Sequence, residues 1–151
     1  MNFKKIALCL CGLSLSTQLF AKDLAGEREM VCLVRAELAL GVSSKIKEAG
    51  EQMDDIKRFA LWSESTNLRV IAEEKYLSKL KVSRETFESA ENRIEEQENN
   101  MLEKYLTSRN VKISPDNLTV FRKETFKFRM QQLKQLKCYL KAKPMMYEVE
   151  N

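Results

Sequence analysis

Between Glu51 and Ser114 the chain contains neither glycine nor proline. That stretch therefore lacks the two residues that most strongly punctuate a β-rich chain. Its apolar residues recur at three and four positions rather than two, which is the helical period. The pattern predicts an all-α, single-domain bundle of four to five helices. The first helix is expected from about Gly26 to Ala49, with Met30, Val34, Leu38, Val42 and Ile46 on one face and Gly50 as the stop. A second begins near Glu51 and carries Met53, Ile56, Ala60 and Trp62. It then meets Ser63-Glu64-Ser65-Thr66-Asn67, whose side chains compete for backbone hydrogen bonds, so a break and a continuous helix are both open there. Helical character resumes through Leu68, Ile71, Tyr76 and Leu80. Ser83 is an N-cap for a third helix, Arg84 to about Leu106, and Ser114-Pro115-Asp116 opens a last one running to about Lys141.

The last two helices differ in charge. The third places Phe87, Ile94, Met101 and Tyr105 in a narrow stripe among Glu85, Glu88, Glu91, Glu95, Glu96, Glu98 and Glu103. In the last, Leu118, Phe121, Phe128 and Leu136 point inward, while Arg122, Lys123, Lys127, Arg129, Lys134, Lys137 and Lys141 load the other side. An acidic helix joined by a short turn to a basic one is expected to pack antiparallel and neutralise its partner. The functional alternative is that one or both faces meet a partner of opposite charge.

At the N-terminus, Met1-Asn2-Phe3-Lys4-Lys5, the apolar run Ile6 to Leu15 and a polar segment ending at Ala21 read as a cleavable export signal, residues 1–21. The mature domain is then 22–151, located in the periplasm. Cys9 and Cys11 leave with the signal. In an oxidising compartment the two remaining thiols, Cys32 and Cys138, are expected to pair. The chain-entropy model gives the loop they close a stabilisation of about 4 to 5 kcal/mol. Without Lys4 and Lys5 the 26 basic side chains fall to 24 against 22 acidic ones, too even a balance to argue for a nucleic-acid partner.

Catalytic constellations are scarce. There is no histidine, which removes the usual triads, the common zinc sites and the Glu-x-x-His di-iron pattern. There is also no Gly-rich phosphate loop. Glu64-Ser65 is similar to the acid of glycan-cleaving transglycosylases, but Asn67-Leu68-Arg69-Val70-Ile71 stands where a Gly-rich segment should follow. Asp54-Asp55 and Glu95-Glu96-Glu98 match no calcium loop and read as solvated. Trp62 reads as core rather than as a ligand platform. The amphipathic stretch Leu118 to Leu140 suits an anionic membrane surface, yet its apolar face is needed for the core, and integral membrane association is not expected. The expectation is a protein without enzymatic activity, metal or cofactor, acting through protein contact.

Four islands carry a family resemblance: Met30-Val31-Cys32, Ala60-Leu61-Trp62, Lys104-Tyr105-Leu106 and Leu136-Lys137-Cys138-Tyr139-Leu140. Their arrangement resembles exported helical immunity proteins of type VI secretion amidase effectors. The resemblance implies a small periplasmic all-α inhibitor that blocks a peptidoglycan-cleaving toxin, often as a homodimer. A helical periplasmic chaperone or envelope adaptor is the alternative. A protein that plugs a cleft needs a protrusion, so the turn Thr107 to Ser114 is the expected contact region, with Arg109, Asn110, Lys112 and Asp116. The basic face around Arg122, Lys127 and Lys134 comes second.

Overall fold

The computed structural model describes residues 21–138, and among them every regular element is helical. The expected export signal other than Ala21, and the expected helical residues Tyr139 to Lys141, lie outside the described residues. Helix α1 spans Arg28–Glu48 and α2 Asp55–Glu73, the latter continuing into a π-helical segment, Glu74–Lys79. Helix α3 spans Arg84–Ser108, and a 3-10 turn, Pro115–Asn117, leads into α4, Leu118–Gln135. A short helical lead-in over 21–25 places Leu24 and Ala25 in the core.

Local chemistry sets the boundaries. Helix α2 starts at Asp55 rather than near Glu51 because the Asp54 carboxylate accepts from the amides of Ile56 and Lys57, at 2.9 and 3.2 Å. The stretch Ser63 to Asn67 does not break it. Ser65 and Thr66 each donate a hydroxyl hydrogen bond to the Trp62 carbonyl, so their competing groups are satisfied inside the helix. Ser83 caps α3 by accepting from the Thr86 amide at 3.1 Å. Three helices end in the same motif, a left-handed residue that folds the next amide back onto the last turn. It is Gly50 (φ 71°) after α1, Asn110 (φ 56°) after α3 and Lys137 (φ 52°) after α4. Glu51, Val111 and Cys138 then donate to the carbonyls of Ile46, Leu106 and Leu133. The last of these ends α4 near Gln135, short of the expected Lys141.

Helix α1 is the hub. The other three helices pack on it, whereas α2 and α3 meet mainly where the π-helical segment turns into α3. Ala36, Ala39 and Ser43 are buried on α1, and their small side chains let neighbours approach from more than one side. Met30, Leu33, Leu61, Tyr76, Phe87, Ile94 and Leu133 fill the space between. Ion pairs fix direction: Arg69 with Glu37 and Lys75 with Glu29 run α2 antiparallel to α1. Helix α4 is also antiparallel to α1, because Arg28 bonds the carbonyls of Leu136 and Lys137 at one end and Glu51 meets Arg122 at the other.

The bundle therefore has two unlike ends. At one, a disulfide joins Cys32 to Cys138 with a Cα separation of 5.5 Å. Arg28 satisfies the final carbonyls of α4 there and places positive charge at its negative pole. At the other end lie the α1–α2 link and the α3–α4 turn.

Several faces differ from expectation. Leu61, Leu68 and Ala72 form the inner face of α2, which leaves Trp62 53 % exposed rather than in the core. Met101 is exposed, and the inward position one turn before it belongs to Glu98. On α4, Arg129 is buried rather than part of the basic face. The charge of Glu98 and of Arg129 points each outward by sequence alone, but burial is tolerable when opposite charges are buried together. That pairing is a tertiary event.

Candidate partner-binding site

The α3–α4 turn is a braced protrusion. Asn110 supplies its left-handed corner, Val111 bonds back to Leu106, and the Asn117 side-chain amide donates to the Lys112 carbonyl at 3.1 Å. The Arg109 guanidinium lies 5.1 Å from the centre of the Tyr105 ring, and Tyr105 in turn donates to Glu124 at 2.9 Å. Backbone conformation is thus fixed while Arg109, Lys112 and Asp116 remain exposed. Between them Ile113 is 70 % exposed, with Leu118 and Val120 also open to solvent. The polar residues of this turn stand out in the sequence and Ile113 does not; its signal is an apolar side chain in a segment with no helical face to bury it.

Arg122 is a different case. It is held, half-buried, by Glu51, which also accepts from Thr119 at 3.0 Å. The Arg122 hydrogen bond holds the Glu51 carboxyl below its ordinary pKa. Arg122 therefore clamps the α1–α2 link to the start of α4 and is a brace for the turn rather than a free contact. Lys127 and Lys134 are exposed, with Lys123, along the outer side of α4, and none of them pairs with a carboxylate among the described residues. Helices α3 and α4 are antiparallel, as expected, but their outer charges do not cancel. The acids of α3 that pair are Glu91, with Arg69, and the buried Glu98. A negative and a positive stripe are left on separate faces.

Well along the helices from the turn, an inward ionic network joins three of them. Arg35 of α1 donates to Glu98 of α3 at 2.7 Å and to the Gln132 carbonyl of α4 at 3.0 Å. Arg129 of α4 donates to the Glu98 carbonyl and to the Asn99 side chain, at 3.2 and 2.7 Å. Burial pulls the Arg129 guanidinium below its usual pKa, against the attraction of Glu98.

Glu64, the one glycan-acid candidate, is buried on α2, and that burial raises its carboxyl pKa. Burial is the sole cause of that rise, with no second carboxylate contributing to it as paired-acid chemistry would require. Among the described residues no group of three acids or cysteines is arranged to hold a metal, and no helix is long and apolar enough to cross a membrane. No protein-family model matches the chain, and neither a curated protein nor a solved structure is significantly similar to it.

Proposed function

We propose that this is a periplasmic protein-binding protein that inhibits a secreted cell-wall amidase by inserting the α3–α4 turn into the enzyme's cleft. The observation that carries the reading is the exposed Ile113, flanked by Arg109 and Lys112 on a turn whose backbone is braced from both helices. A rigid protrusion with an apolar tip loses little conformational entropy on binding, and its basic rim speeds encounter with an acidic cleft. The resemblance of the four short islands to type VI immunity proteins favours the same class. The proposal includes export, no catalytic activity of its own, and association with a second copy as those proteins often show.

The test is inhibition. Purified mature protein should suppress release of fragments from peptidoglycan by a type VI amidase of the same cell at near-equimolar concentration, and release none by itself. Suppressed aggregation of several unrelated clients without amidase inhibition would replace this reading with a chaperone.

A further inference from the structure

Asp55, Trp62 and Arg69 recur every seven residues and so lie along one side of α2. The first and last reach across to α1. Asp55 takes the Lys47 ammonium at 3.0 and 3.1 Å, and Arg69 binds both carboxylate oxygens of Glu37 at 2.6 and 2.8 Å. Between these two bridges Trp62 faces a groove of about 400 Å³ lined by Leu40, Ser44, Asp55, Arg58 and Phe59. Phe59 is 61 % exposed, and its ring centre lies 5.6 Å from that of Trp62 with the planes tilted by 34°.

We infer that this groove is a binding site for an uncharged sugar ring. The bridges are about 21 Å apart along α2, and of their four residues only Asp55 lines the groove. The rim charges are already matched, since Asp55 has Lys47 and lies 3.9 Å from Arg58, and a charged ligand would have to displace one of them. A neutral ligand breaks neither pair. A pyranose has a face of C–H bonds that suits the electron-rich face of Trp62, while its hydroxyls lie at the ring edge. Asp55 accepts, Arg58 donates and Ser44 does either, which is the mixed set such an edge requires. The groove's size is that of a small-ligand cleft. It stands apart from the α3–α4 turn and does not depend on the inhibitor reading.

Trp62 is the sole tryptophan of the chain, so its emission reports on this groove alone. Mature protein titrated with N-acetylglucosamine and with its trimer should show a saturable change in emission. Phe59→Ala should weaken that response at least tenfold while leaving the helical circular dichroism unchanged, since Phe59 is exposed. Constant emission up to about 50 mM sugar, well above the millimolar range of weak sites, overturns the proposal. So does emission that changes with protein concentration alone, which would mean that a second copy covers Trp62.

Discussion

Cys32 and Cys138 are 106 residues apart in sequence, and their Cα atoms are 5.5 Å apart at the end of the bundle remote from the α3–α4 turn. Cys32 is on the second turn of α1. Cys138 is brought to it because Lys137 takes a left-handed conformation that folds the chain back at the end of α4. The linkage closes nearly the whole domain into one loop. Non-reduced protein should be about 2 Da lighter than reduced protein and yield one intramolecular cross-linked peptide pair. Cys32→Ser with Cys138→Ser should lower the unfolding free energy by about 2 to 4 kcal/mol in urea titration.

Glu98 is the only carboxylate in contact with both the half-buried Arg35 and the buried Arg129 among the described residues. Its replacement by Ala leaves both without their counter-charge in the core. A loss of about 3 to 5 kcal/mol is expected for Glu98→Ala, read from chemical denaturation. Replacing all three together by Arg35→Met, Glu98→Leu and Arg129→Met should recover most of that loss, because no buried charge then needs a partner.

Glu64 predicts the opposite sign. Burial raises its folded pKa above the unfolded value, so ionisation costs stability. The cost is absent below the unfolded pKa, near 4.3 for a glutamate, grows as pH rises toward the folded pKa, and is constant above it. Glu64→Gln should therefore raise the thermal midpoint at pH 7, with the gain shrinking as the pH is lowered to 4. An equal gain at both pH values would show that ionisation is not the cause.

The α3–α4 turn separates binding from folding. Arg109→Glu combined with Lys112→Glu should abolish most amidase inhibition and its salt dependence. Thermal stability should stay within about 0.5 kcal/mol, since both side chains are exposed. Asn110 answers to the backbone instead: Asn110→Gly should be tolerated, whereas Asn110→Val should cost about 1 to 2 kcal/mol at a φ of 56°.

Helix class and capping were legible in the sequence because they are local. The absence of glycine and proline from Glu51 to Ser114, the cap at Ser83, and the stop at Gly50 each act within a turn or two of chain. The cysteine pairing was legible for a different reason, since reading residues 1–21 as an export signal leaves two thiols to match.

Which face of each helix turns inward was decided by tertiary packing. Helix α1 is covered by three neighbours, so a single apolar stripe could not describe it. Trp62 was left at the surface because Leu61 and Leu68 already filled the inner face of α2. Glu98 and Arg129 became core residues because the fold brought them together with Arg35. A charge has an inward place only once its partner's position exists, and that position is a property of the assembled bundle rather than of any segment of the sequence.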